Sequence, residues 1–423
     1  MKSSDAPDAV RRVKFISPYQ FAVFRIALGL YLVHHFLYLI LGSQPSELEA
    51  ARPDAALNFT HGVLPNPLAW WGTPDLATAW LVGMLVLSVS LMLGSLRRTT
   101  CLLLWYGWAC LFYRYDLIVN PGIPYVGMML LLMVIVPPGE PLSVAAKRTG
   151  RQWSFPWMVF VAAWVLMAAG YTADGLDKLL TSPGWRDGTA IIQLINNPST
   201  RPGPLGALFV ALPSWVHHAA SWSVLAIQVL FVPLCLTRKT RLVAWTLMLG
   251  VHVGVLAVVD FAHLAFGMVM LHAFTFDPDW FAPRRAASGR SVVFFDGLCA
   301  LCNRSMKLLI DEDRARVLAF APLQGETFEA FLTTTTLKQD LDSIVYVRGF
   351  GSDGARVFVR SGAVLQALCD VGGFWRVVSW LRFVPRALRD RVYDFIAAHR
   401  YKWFGKYEVC RLPSPQDARQ LLP

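Results

Sequence analysis

The sequence predicts a multi-span α-helical membrane domain followed by a small α/β domain. Three observations predict it. Residues 19–276 carry one long apolar block after another, residues 291–423 have the charge density of a soluble domain, and FDPDWFAPRRAASG (277–290) reads as a short connector between them. Composition agrees: the 423 residues are 55% hydrophobic and 16% charged, against about 25% charged in an ordinary soluble domain.

A helix needs about 20 mostly apolar residues to cross a bilayer, and lipid leaves backbone groups no water to bond, so spanning segments are helices. Candidate spans are 19–41, 76–95, 100–118, 123–137, 155–172, 216–236, 242–259 and 261–276, the fourth and eighth being short. The formal net charge is +11. A basic balance can signal nucleic acid, but no nucleic-acid-binding motif appears, and the positive residues fall in small clusters between apolar blocks. The clusters are Arg11, Arg12 and Lys14; Arg97 and Arg98; Lys147, Arg148 and Arg151; Arg238, Lys239 and Arg241; Arg284 and Arg285. With eight spans all five fall on one side, which the positive-inside rule assigns to the cytoplasm. Both termini are then cytoplasmic, the 173–215 loop lies outside, and the expected location is the bacterial inner membrane, with the lipid bilayer as a partner.

Ionisable residues in apolar surroundings are candidate functional groups. Arg25, His34 and His35 lie in the first span, Arg114 and Asp116 close the third, and His252, His263 and His272 lie in the last two. Single histidines of this kind are more often bonds between helices. The stretch GYTADGLDKLLTSPGWRDG (170–188) is placed just outside the fifth span. Partial desolvation there favours a neutral amine at Lys178, while Asp174 and Asp177 favour the charged form.

In the soluble part, RSVVFFD, RVLAFAPL, SIVYVRG and GARVFVRS read as strands, and 361–371 and 386–400 as helices. Strands interleaved with helices make a compact α/β layer. Of seven cysteines, Cys101, Cys110 and Cys235 sit inside apolar blocks and pack as small hydrophobes. Cys299 and Cys302 have the C-x-x-C spacing after a strand and at a helix start. Unpaired N–H groups at a helix N-terminus stabilise a thiolate, which makes Cys299 the attacking sulfur and leaves Cys302, one turn on, to resolve a mixed disulfide. A structural zinc site would want four ligands, and Cys369 and Cys410 each stand alone. No metal is therefore assigned, and the expected partner is a protein or small-molecule disulfide.

The segment FFDGLCALCNRSMKLLIDED resembles the opening of the DCC family of thiol–disulfide oxidoreductases, whose Asp-Cys-Cys signature Asp296, Cys299 and Cys302 match. VPRALRDRVYDFIAAHRYKWFGKYEVC resembles that family's tail, with its late cysteine at Cys410. The likeness covers 291–415 and implies a thioredoxin-like fold. Gly-Leu-Asp-Lys-Leu around Lys178, then Trp185 and Gly188, resembles the lysine segment of the vitamin K-dependent gamma-carboxylases and of the wider HTTM membrane domain, here 1–285 with about eight helices. The stretch from His252 to Pro278-Asp279-Trp280 resembles the same family's later segment. That resemblance implies a quinone or quinol cofactor among the spans and Lys178 as the base that deprotonates it. The carboxylase has a lysine where this chain has Asp177, and its large luminal region is replaced here by the thioredoxin-like domain.

The sequence therefore supports three activities. The first is a membrane-anchored thiol–disulfide oxidoreductase of the protein-disulfide reductase type, which reduces a disulfide or passes reducing equivalents to the membrane domain. The second is a carboxylase-like membrane enzyme using Lys178. The third is a non-enzymatic membrane scaffold with a binding module.

Overall fold

The computed structural model describes residues 16–41, 64–71, 73–111, 122–146, 153–196, 203–259, 263–334, 343–408 and 417–423. Contacts divide the chain into two compact units, Met1–Phe276 and Asp277–Pro423. Cys410, Arg114 and Asp116 lie outside the described residues.

Each of the eight apolar stretches meets a helix. They are α1 (Pro18–Leu41), α2 (Pro74–Leu93), α3 (Arg97–Leu111), α4 (Gly122–Ile135), α5 (Trp157–Thr181), α6 (Ser214–Val229), α7 (Arg238–Val258) and α8 (His263–Thr275). Four of them, α1, α2, α5 and α7, are long and apolar enough to cross a membrane. Within the described residues the other four are shorter than the roughly 20 residues a crossing needs, and α4 and α8 are shorter apolar helices. Close packing uses small residues: a Cβ on Gly29 of α1 would lie 2.9 Å from Met92 of α2.

Helix α5 departs from the sequence reading. It does not stop at residue 172 but runs on to Thr181, so Asp174 and Lys178 sit on its last turns and not in a loop. Nothing in 173–181 breaks a helix, and the ladder ends only where Ser182 N–H donates to Lys178 O, just before Pro183.

A second surprise is a buried ionic knot. Arg25, Arg97 and Glu140 are all at most 2% exposed. Glu140 Oε1 accepts Arg97 Nε at 3.0 Å and forms an ion pair with Arg25, whose Nε lies 3.0 Å away. Other guanidinium nitrogens donate to carbonyls: Arg25 to Leu91 O at the end of α2 at 2.8 Å and to Leu142 O in the turn beyond α4 at 2.7 Å, and Arg97 to Val136 O at 2.9 Å and Pro137 O at 2.6 Å just past α4. Two cations thus cap the orphan carbonyls at the ends of α2 and α4. Arg97, taken from the sequence as a loop charge, is spent inside the fold.

The second unit is built on strands β1 (Arg290–Phe295), β2 (Leu318–Pro322), β3 (Val345–Phe350) and β4 (Arg356–Val359). Its helices are α9 (Ala300–Glu312), α10 (Glu326–Thr334), α11 (Arg360–Val371), α12 (Gly373–Val378) and α13 (Arg386–Phe404). The sheet order is β2-β1-β3-β4, with β1 and β2 parallel and the other pairs antiparallel. This is the thioredoxin-like arrangement of β-α-β followed by a hairpin and a helix. The near-continuous apolar run of β1 follows from burial on both faces. Val293 and Phe295 pack with Met306 and Leu309 of α9 and Ala367 of α11, while Phe294 packs with Phe328 and Phe331 of α10. The sequence reading found all four strands and missed α10.

Candidate active site

The end of β1 builds the site. Asp296 follows the last core phenylalanine, and its Oδ1 accepts Leu298 N–H at 3.0 Å, which turns the chain toward α9. Cys299 is the residue that caps α9. Its Sγ occupies the place a serine or aspartate oxygen usually takes and accepts Cys302 N–H at 3.3 Å. Asn303 Nδ2 fastens the turn from behind, donating to Gly297 O at 2.7 Å and Cys299 O at 2.9 Å.

The two thiols are pushed apart electrostatically. The Cys299 thiol is pulled down to about 6, because the Cys302 side chain and backbone N–H groups of the helix tip donate to its sulfur, against burial and the Asp296 carboxylate. Cys302 is pushed up, first by donating to Cys299 and then by burial. The pair therefore shares one proton, held on Cys302.

An attacking sulfur needs a path to its substrate, yet Cys299 is 0% exposed. The chain just after α13 covers it: Ala300 N–H donates to Gly405 O at 3.2 Å, Tyr407 N–H donates to Leu298 O at 2.8 Å, and Cys299 bridges to Lys406. Cys302 is the more open of the two. It lines a cavity of about 290 Å³ whose walls include Leu301, Met306, Ile344, Tyr393 and Arg400.

Asp296 is buried and fully engaged. Its Oδ2 accepts Arg400 Nη2 at 3.2 Å and the Tyr401 hydroxyl at 2.5 Å, and its Oδ1 accepts Gln324 Nε2 at 3.1 Å. Arg400, Tyr401 and Gln324 were missed in the sequence. They come from elements far along the chain, and no local spacing marks them. The donor atoms of Asp296, Cys299 and Cys302 lie within 4.8 Å of one another. Among the described residues no fourth such ligand joins them, and a structural zinc site wants four. Cys369 lies elsewhere, buried in α11, with Arg382 donating to its sulfur at 3.7 Å.

In the membrane unit, Lys178 Nζ donates to Asp174 Oδ2 at 2.5 Å and to Gln228 Oε1 at 3.0 Å, and sits 4.9 Å above the Trp185 ring. Asp177, next to Lys178 in the chain, is exposed. Gly175 makes the arrangement feasible, since a Cβ there would lie 2.6 Å from Val229 N of α6. Deeper in, the Tyr171 hydroxyl and His252 Nε2 are 2.6 Å apart, and His252 and His272 rings are 5.5 Å apart.

Comparison with known proteins puts both halves in context. A family model described as the HTTM domain matches residues 14–280, and one described as DCC1-like thiol-disulfide oxidoreductase matches residues 293–406. YuxK of Bacillus subtilis (strain 168) is 39% identical over 133 residues, 31% of this chain and 93% of its own. A chloroplastic DCC family protein of Arabidopsis thaliana is 33% identical over 125 residues, 29% of this chain and 70% of its own. No solved structure matches. With nearly two thirds of its length under the first model and its C-x-x-C loop under the second, the chain belongs to the HTTM-domain family and carries a DCC-family thiol–disulfide oxidoreductase domain.

Proposed function

We propose that the chain is a membrane-anchored protein-disulfide reductase whose working pair is Cys299 and Cys302. The observation that carries this reading is the Cys299 sulfur capping α9, with Cys302 N–H as its donor at 3.3 Å. That placement stabilises a thiolate on one sulfur and stores a proton on its neighbour. The reaction begins when the Gly405–Tyr407 cover lifts. The Cys299 thiolate attacks one sulfur of the substrate disulfide, that S–S bond breaks, and the released sulfur leaves and takes up a proton. Cys302 then loses its proton to water admitted by the lifted cover and attacks Cys299, with the Asp296 carboxylate within 4.8 Å of both sulfurs. The mixed disulfide breaks, the second substrate thiol leaves, and the protein holds a Cys299–Cys302 disulfide. The apolar cavity beside Cys302 seats an apolar part of the substrate. A cytoplasmic location on the bacterial inner membrane favours net reduction, because that compartment keeps thiols reduced.

A second reading rests on the Lys178–Asp174–Gln228 cluster and the Tyr171–His252 contact near it. These polar groups gathered in the membrane unit support a site for a quinol or other lipid-like substrate. In this arrangement Lys178 is an ion-paired donor, and it becomes a base only once Asp174 no longer holds it. One assay separates the readings: reduction of insulin disulfides by the full chain in detergent, regenerated by a small dithiol. The thiol reading expects Cys299→Ser to abolish turnover and Lys178→Ala to retain it. Turnover that survives Cys299→Ser sinks the thiol reading. In cells, a Lys178→Ala variant indistinguishable from the parent counts against the base.

A further inference from the structure

Helix α13 has an unusual surface. None of its 19 residues is buried, although its middle packs on α9 and α11. Leu388, Val392, Phe395 and Trp403 are each about half exposed or more. At 3.6 residues per turn these four fall on one narrow stripe. The turn before the helix extends the stripe with Trp380, Leu381 and Phe383, the last 76% exposed. Soluble proteins seldom show so many large apolar side chains together unless the patch binds something.

Charge says what. From Arg382 to Lys406 there are seven Lys or Arg and two Asp. Both acids are already used, Asp390 by Arg386 and Asp394 by Arg360. Arg391 and Lys402 are exposed close beside the apolar stripe. Aromatic and aliphatic side chains flanked by cations are what an interfacial helix presents to headgroups. The chain itself keeps lipid within reach. Thr275, which ends α8, and Arg290, which starts β1, are fifteen residues apart, so the connector spans at most roughly 50 Å.

We infer that α13 and the turn before it form a docking surface for anionic lipid, with Phe383, Leu388, Val392, Phe395 and Trp403 entering the headgroup region and the basic side chains meeting lipid phosphates. The opposite face of the same helix carries Tyr393, Ala397 and Arg400, which line the Cys302 cavity. A helix lying on lipid therefore holds the thiol pair about one helix diameter, ~10 Å, from the headgroups. Substrates that gather at the membrane surface then meet the cavity first.

The test is hydrogen exchange of residues 380–404 in the full chain, reconstituted in phosphatidylcholine nanodiscs with and without phosphatidylglycerol. The expected result is protection that appears with phosphatidylglycerol and fades with added salt. Each basic residue at an anionic surface contributes about fivefold to association. Reversing two, Arg391→Glu with Lys402→Glu, is expected to cut the protection at least about tenfold. Phe395→Glu with Trp403→Glu should remove it, while insulin reduction in detergent stays at the parent level and reports an intact fold. Protection equal in both lipids and indifferent to salt overturns the proposal. Protection that rises with protein concentration in neutral discs also overturns it, and assigns the stripe to a second copy of the chain.

Discussion

Cys299 shows how one residue can serve as both structure and reagent. Capping a helix with sulfur instead of oxygen satisfies an orphan N–H and lowers the thiol to about 6. Reactivity follows the deprotonated form, so alkylation of Cys299 is expected to climb as pH rises through about 6 and to level off above. By linkage, a depressed thiol adds stability that is complete above the free-thiol range and lost as pH falls through the folded value. Asp296 opposes the thiolate, so Asp296→Asn should move the alkylation midpoint to lower pH. Peptide mapping of iodoacetamide adducts across pH measures both. An unchanged midpoint in Asp296→Asn would show that Arg400 already cancels the carboxylate's field. The C-x-x-C pair and the aspartate were legible because their chemistry is local. Arg400, Tyr401 and the cover over Cys299 were not, because they return from about a hundred residues away.

Elements were legible in proportion to their periodicity. Strand β1 announced itself as an unbroken apolar run because both faces are buried, and α1, α2 and α7 by length. Helix α10 was missed because nine residues offer too few turns for a clear pattern. Helix α5 was cut short because hydropathy falls at Asp174 while helix propensity does not. The Arg25–Glu140–Arg97 knot was invisible, since nothing in sequence tells a loop arginine from one turned inward. It carries a prediction. Glu140→Ala leaves two buried guanidinium groups without their counter-charge, and breaking a buried pair this way costs about 3–5 kcal/mol. Thermal unfolding of the detergent-solubilised chain should begin well below the parent. An unchanged transition would mean that the carbonyl contacts alone hold these arginines.

At the scale of the whole molecule, a membrane domain and a redox domain share one chain. The positive-inside argument predicts that residue 423 is cytoplasmic, but Arg97 contributes less than its count implied, because Glu140 pairs with it within the fold. The remaining clusters still favour the same side, so an epitope at residue 423 is expected to resist protease added to intact cells and yield only after lysis. Digestion in intact cells would put the thiol pair in an oxidising compartment and turn the expected chemistry from reduction toward oxidation. The segment Gly405–Tyr407 bears on durability as well as on turnover. A thiolate with no open surface meets peroxide, like iodoacetamide or substrate, only while that cover is lifted, so stepwise conversion of Cys299 to sulfenic and sulfinic acid should be slowed by the time the cover spends closed. The fold thereby keeps an acidic sulfur ready without leaving it to be consumed by stray oxidants.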